Sequence, residues 1–338
     1  MSNASESAAA LTFARETFAK LTPGPFLLAH LKQEPRPVRP NGRQLFESRQ
    51  PAVNTGSLTH SNGSAVVRVG DTAIVCGVRG EILLASDIPH APHEDPEEQD
   101  LIEELGLLVP NVELSTGCSP AHLPGNPPST LAQSLSYRVC SLLQDSRCID
   151  ASSLRIEYTE PDTGDDDAAD ESRVVIKAFW TLYIDVLCLA LDGNAFDAAW
   201  LAITAALRDT TLPKAWWDQD REGVLCSPLL SDASALTLNE IPSVSTFAVF
   251  TTASPLQRPE NAQSWVLVDP DAFEEDLCDE MLTIAVRKTG SGGTTLLKVE
   301  KSGGSFIGTL AIRDCVEAAS RRLADTELAL KNSRWRSH

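Results

Sequence analysis

Residues 174–207 constrain the fold of this chain more than any other stretch. The apolar run VVIKAFWTLYIDVLCLALDG reads as one long strand or two, and it ends at the turn signal Asp192-Gly193. The next segment, NAFDAAWLAITAALRDTTLP, reads as a helix almost apolar all round. Phe196, Trp200, Ile203 and Leu207 form one ridge, while Ala198, Ala202 and Ala205 form a small-residue face. With so little polar surface, such a helix is buried. Pro213 is its expected stop, and KAWWDQDREG reads as a linker to a second unit.

Upstream, GSAVVRVGDTAIVCGVRGEI places two β-branched runs on either side of Gly70-Asp71, the pattern of a tight hairpin. Val66, Val67, Val69, Ile74, Val75 and Val78 make both of its faces apolar, which predicts a position deep in a sheet covered on both sides. PAVNTGSLTH adds a third strand. Residues 10–33 read as helical with a break at Pro23-Gly24-Pro25, and EPRPVRPNGR as extended. Residues 83–128 read as mostly irregular; Ser129 then caps a helix carrying Leu131, Leu135, Val139 and Leu142. The charge run 160–172, EPDTGDDDAADES, reads as a solvated loop. Beyond the linker, STFAVF, SWVLVD and MLTIAV are strands and TGSGGTTLLKVE a hairpin. A last helix over 309–330 carries Ile312, Val316, Ala319 and Leu323. Strand clusters each closed by a helix predict an α+β protein with two layered units.

Composition narrows the function. A net charge of −19 over 338 residues argues against coating nucleic acid by bulk attraction, although a local cationic strip remains compatible with it. The 8 cysteines are scattered singly, without a C-x-x-C, and fit buried thiols in a reducing compartment. The polar start SNASES lacks a signal-peptide pattern, so a nuclear or cytoplasmic location is expected. His90 and His93 read as loop residues rather than metal ligands. The glycine clusters GSGG and SGGS read as turns, and Trp216-Trp217 as packing at an interface.

Several patterns occur in one order: RPNGR, then NGSAVVRVGDTAIVCGVRGEI, then LALDGNAFDAAWLAITAAL with its Leu-Pro, then LVDPDAFEED, then a glycine-rich turn and a closing helix. Together they resemble the RNase PH family, and within it the non-catalytic ring subunits of the eukaryotic RNA exosome. The resemblance covers roughly residues 35–325. It implies the RNase PH fold: an α+β, ribosomal protein S5 domain 2-like unit with a smaller second α+β domain. The expected division is 1–34 as an N-terminal helical extension, 35–213 and 222–330 as the two domains, and 331–338 as a tail. The resemblance also implies a hexameric ring of RNase PH-like subunits around a channel for single-stranded RNA. S1/KH cap proteins and a hydrolytic exoribonuclease are the further partners, in the nucleus (nucleolus included) and the cytoplasm, with no membrane.

Phosphorolysis brings two anions together, so it requires arginines and backbone N–H groups for phosphate, and carboxylates for metal or proton transfer. Active relatives place an arginine shortly after the Asp-Gly turn; here Phe196 and Asp197 stand there. Their last helix is preceded by a Gly-Thr-x-Glu cradle, of which Gly308-Thr309 survives without the glutamate. Their paired aspartates correspond to Asp276 and Glu280, more closely spaced. The resemblance therefore implies a degenerate site with no catalytic residue, no metal and no cofactor, the alternative being an active phosphate-dependent 3′-exoribonuclease. Arg39, Arg43, Arg49 and Arg79 are the candidates for RNA or subunit contact.

Overall fold

The computed structural model describes residues 14–89, 98–120, 122–123, 129–160, 174–252, 263–290, 292–304 and 307–333. His90, His93, most of the acidic loop and most of the expected tail lie outside these. Helices α1 (Arg15–Leu21) and α2 (Pro23–Leu31) flank Thr22, and Pro23 begins α2, where a missing N–H breaks no helical bond. Strands β1 (Pro51–Thr55), β2 (Gly63–Val69) and β3 (Thr72–Leu84) form an antiparallel meander. Gly70 turns the β2–β3 hairpin at φ +61°, a conformation that favours glycine.

Residues expected to be irregular contain α3 (Glu98–Glu104) and β4 (Leu108–Leu114). After α4 (Thr130–Ser146), whose Ser129 Oγ accepts the Ala132 N–H at 3.2 Å, come β5 (Arg155–Thr159) and β6 (Val174–Ala190). The long apolar run is one strand of 17 residues. β6 pairs antiparallel with β3 and β5 and parallel with β4, giving the order β1-β2-β3-β6-β4.

The buried helix is α5 (Ala195–Asp209), with every residue from Ala195 to Leu207 inside. It packs on one face of the sheet, against β2 and β3. This corrects the expectation of a hairpin covered on both sides: Ala65, Val67, Ile74 and Cys76 are buried, whereas Val66 and Val75 on the opposite face are half-buried and Arg68 is exposed. The helix ends at Thr210, whose Oγ1 donates to Ala206 O at 2.7 Å, ahead of Pro213. Short strands β7 (Thr211–Leu212), β8 (Ala215–Asp218), β9 (Gly223–Cys226) and β10 (Ser234–Ala235) follow. The segment read as a linker is thus a β8–β9 hairpin, with Trp216 pairing Leu225.

A second, antiparallel sheet combines β11 (Ser243–Thr251) and β12 (Ser264–Val268) with β13 (Glu280–Lys288) and β14 (Thr294–Ser302), in the order β12-β11-β13-β14. Helix α6 (Ala272–Glu275) lies between β12 and β13, and α7 (Thr309–Asn332) closes the chain. Phe247, Leu282 and Ile284 face Cys315, Ala319 and Leu323 of α7. On the other side Ala248, Phe250 and Leu267 meet Leu27 and Leu31 of α2. Because α5 also touches β11, it is the wedge between the two sheets. The architecture is α+β.

Gly63 marks how close α5 comes to β2. A Cβ there would stand 2.3 Å from Thr210 Oγ1 and 2.6 Å from Ala206 O, the latter being helix backbone. Gly63→Ala is therefore expected to cost about 1–3 kcal/mol, in the range of overpacking substitutions. Urea unfolding checks this, and a loss below about 0.5 kcal/mol would contradict the close approach.

Candidate functional site

The arginine-rich entry folds inward. Arg39 is 1% exposed. Its Nε donates to Glu274 Oε1 at 2.7 Å, a second arm pairs with Glu274 Oε2, and Nη1 donates to Val268 O at 2.7 Å. Asn41-Gly42 turns the chain so that Arg43 reaches the same place, its Nη1 donating to Asp269 O at 2.8 Å. Arg49 forks onto the Asp269 carboxylate at 2.8 and 3.0 Å and gives its other arm to Asp192 O at 2.7 Å. These three arginines thus join the start of the first sheet to the loop between β12 and α6. Only Arg79 displays its guanidinium, above Tyr183 on the uncovered sheet face and paired with Glu81 at 3.3 Å.

Asp269 sits in the left-handed region at φ +50° and is fully buried. Burial pushes its carboxyl up, but hydrogen bonding to Arg49, the charges of Arg322 and Arg49, and Asn194 outweigh it and hold the group well below the usual carboxylate range. Arg43 shows the opposite balance: burial and then the neighbouring Arg39 lower its pKa.

At the entry to α5, Gly193 and Asn194 have φ of +70° and +51°. A Cβ on Gly193 would lie 2.4 Å from the Asp271 carbonyl carbon, so the close approach itself requires glycine. Asn194 Nδ2 donates to Asp197 Oδ2 at 2.9 Å and to Asp269 Oδ1 at 2.6 Å. Two carboxylates can only accept, so the amide orientation is fixed and Oδ1 faces away from them, buried and without a hydrogen-bond partner among the described residues. Asp197 also accepts from Thr246 N (3.0 Å), Thr246 Oγ1 (2.7 Å) and Arg322, tying α5 to β11 and α7. Asp197 is thus a joint between the two sheets.

Phe196, one residue earlier, faces the other way. It lines a cavity of about 300 Å³ between the sheets, together with Arg138, Asn194, Thr246, Glu275 and Glu300. Arg138 of α4 lies over the Phe196 ring at 3.9 Å and donates to Glu300 Oε2 (3.0 Å) and Thr283 Oγ1 (2.8 Å). Glu275 accepts the Asn194 N–H at 2.7 Å, placing a carboxylate at the positive end of the α5 dipole. Burial pushes the Glu275 carboxyl up to about 7, against the pull of the Asn194 N–H and Arg49.

Of the six degenerate-site positions, Phe196 is the one at the cavity wall. Asp276 is exposed beside α6. Glu280 is buried at the start of β13, with Lys301 Nζ 2.7 Å away. Gly308 and Thr309 begin α7 without lining the cavity. The sequence reading missed Glu275 and Arg138. The first had a signal: Asp271 and Glu274 form a capping box, which turns Glu274 back to its cap and leaves the next residue to face elsewhere. Arg138 had none, lying 58 positions before Phe196. Among the described residues no group of three or more His, Cys, Asp or Glu is gathered to hold a metal ion.

Removing the Arg39 guanidinium takes the bidentate partner from the fully buried Glu274 carboxylate, leaving it Arg43 at 3.7 Å and the Asp271 N–H at 3.1 Å. Arg39→Met is expected to cost about 3–5 kcal/mol, whereas Arg79→Ala should stay within about 0.5 kcal/mol. Chemical denaturation of the two variants checks this; equal, small losses would mean that the buried pair holds nothing.

Residues 47–213 match the RNase_PH family, described as "3' exoribonuclease family, domain 1". Over 309 residues the chain is 36% identical to the exosome complex component rrp43 of Schizosaccharomyces pombe, spanning 91% of this chain and 95% of that one. It is 28% identical to the exosome complex component Rrp42 of Methanopyrus kandleri, spanning 87% and 91%. Among solved structures it superposes on one described as "archaeoglobus fulgidus exosome with RNA bound to the active site" with a TM-score of 0.61 and 24% identity, over 89% of this chain and 96% of that one. That last likeness concerns the fold alone. From the extent and level of its sequence match, the chain belongs to the RNase PH family.

Proposed function

We propose that this chain is a non-catalytic subunit of an exosome core ring, which helps to build the channel that threads single-stranded RNA to a nuclease carried elsewhere. The likeness to curated exosome components along most of the chain supports the ring assignment. The observation that carries the non-catalytic part is the charge arrangement of the cavity between the sheets. Its arginine, Arg138, is already bonded to Glu300 and Thr283, and a carboxylate, Glu275, occupies the N-terminus of α5. A phosphorolytic site must draw together inorganic phosphate and an RNA phosphodiester, both anionic. Here an incoming phosphate would meet two carboxylates and a guanidinium that is already neutralised.

In this reading the partners are other RNase PH-like ring subunits, S1/KH cap proteins and a hydrolytic exoribonuclease, in the nucleus and cytoplasm. Arg79, whose guanidinium is exposed, is in this reading the one of the four candidate arginines that touches RNA or a neighbouring subunit. Arg39, Arg43 and Arg49 act within the chain and shape the fold that the ring uses.

The test is incubation of the purified chain, alone and assembled with its ring neighbours, with 3′-labelled RNA and inorganic phosphate. No release of nucleoside diphosphate above a protein-free control is expected from the chain alone. In the assembly, any release should be unchanged by Glu275→Gln in this subunit. Release from the chain alone, or release in the assembly that Glu275→Gln abolishes, would overturn the proposal in favour of an active phosphate-dependent exoribonuclease.

A further inference from the structure

The tryptophan pair at 216–217 is divided between two environments. β8 and β9 form a ribbon in which Ala215, Trp217 and Val224 share one face, and Trp216 and Leu225 the other. The first face is packed. Ala215 and Val224 rest against the core, and Lys177 of β6 lies over the Trp217 ring at 5.8 Å. β5 adjoins β8, and its Tyr158 hydroxyl donates to Gln219 Oε1 at 2.9 Å. The second face is turned to solvent: Trp216 is 41% exposed and Leu225 half-buried.

The turn that follows β9 has the same character, with Leu229 61% exposed and Leu230 92%. Its backbone is held by its own hydrogen bonds. The Ser227 N–H donates to Lys214 O at 2.8 Å, which fixes the turn to the base of the ribbon. Ser227 Oγ accepts the Leu229 N–H at 3.2 Å and donates to Asp232 at 2.7 Å. The N–H groups of Asp232 and Ala233 then close a 3-10 turn on Leu229 O and Leu230 O. Apolar side chains presented on a backbone already fixed lose little entropy on binding, which suits an interface anchor. Single exposed leucines are ordinary on a protein surface, but here two of them adjoin the ribbon that exposes a tryptophan.

The surrounding charges define the partner's chemistry. Asp218, Asp220 and Glu222 stand at the far end of the ribbon and Asp232 beside the two leucines. Against them stand Lys214 and Arg221, and Arg221 is paired with Asp218 at 3.8 Å. Such a rim repels RNA phosphates, which disfavours a nucleobase stacked on Trp216, and attracts a protein surface carrying lysine or arginine. We propose that Trp216, Leu229 and Leu230 anchor a neighbouring RNase PH-like subunit by entering an apolar recess rimmed with basic residues. This rests on the reading of the chain as a ring subunit. A standard interface takes about 800 Å² from each partner, so the three side chains form the centre of a larger contact.

The experiment is hydroxyl-radical footprinting of the full-length chain alone, with its RNase PH-like ring neighbours, and with single-stranded oligouridine. Native mass spectrometry follows assembly in parallel. Labelling of Trp216 and Leu230 is expected to fall about fivefold or more in the assembly and to stay unchanged with oligouridine. Leu230→Asp removes no packing within the chain, and should raise the concentration needed for half-assembly about tenfold. Asp220→Lys, which reverses one charge of the rim, should raise it about threefold. Assembly in which Trp216 and Leu230 stay labelled as in the free chain, or which Leu230→Asp leaves unchanged, would overturn this inference and leave the ring reading intact. Failure of the unaltered chain to assemble with those neighbours would overturn both. Protection of Trp216 by oligouridine in the free chain would replace the subunit anchor with a base-stacking platform.

Discussion

The Asp269 carboxylate is the point on which the two sheets are joined. It sits at the end of β12, fully buried, and receives the Arg49 fork from the first sheet and the Asn194 amide from the start of α5. Its backbone carbonyl accepts from Arg43 and Arg39, so one residue receives four side chains from distant parts of the chain. Burying a charge of this kind is costly unless every lone pair finds a donor, and here the donors are mostly cationic. A left-handed backbone at a residue other than glycine is an additional cost, offset by the same contacts. Asp197 repeats the arrangement one helical turn into α5, with Thr246 and Arg322 as partners. With these two carboxylates in place, α5 is held as a wedge and the cavity at its N-terminus acquires fixed walls.

This arrangement explains why arginine-rich sequence need not mean phosphate recognition. A guanidinium used to hold a fold has its donors spent on carboxylates and carbonyls, as Arg39 does, and offers nothing to an incoming anion. The same accounting applies at the cavity, where Arg138 is neutralised by Glu300 and the end of the helix dipole meets Glu275. On the face of the first sheet turned away from α5, Arg79 and Leu187 are exposed and Val66 and Val75 half-buried, with no helix over them among the described residues.

Much of the fold was legible because it rests on local pattern. The β2–β3 hairpin, the long strand β6, the apolar helix α5 and the strands of the second sheet all declare themselves through periodicity and turn residues. The β4 strand did not, since LVPNVEL carries a proline and outward polar residues, which an edge strand tolerates but which break the apolar signal. The β8–β9 hairpin was hidden by its charged turn, Asp218 to Glu222. In the site, Phe196 and Asp197 are adjacent in sequence, yet the helical step of about 100° sends one to the cavity and the other into the joint. The roles of the arginines depend on partners some 220–235 residues away, as with Arg49–Asp269 and Arg39–Glu274, and no spacing rule reveals such a pairing.

The entry arginines hold the two sheets together, their donors committed to carboxylates and carbonyls. A double-mutant cycle on Arg49→Met and Asp269→Asn, read by equilibrium unfolding, measures that hold most directly. A coupling energy of about 2–3 kcal/mol between the two positions is expected, at the upper end for groups in direct contact. A coupling below about 0.5 kcal/mol, the level of independent sites, would contradict it.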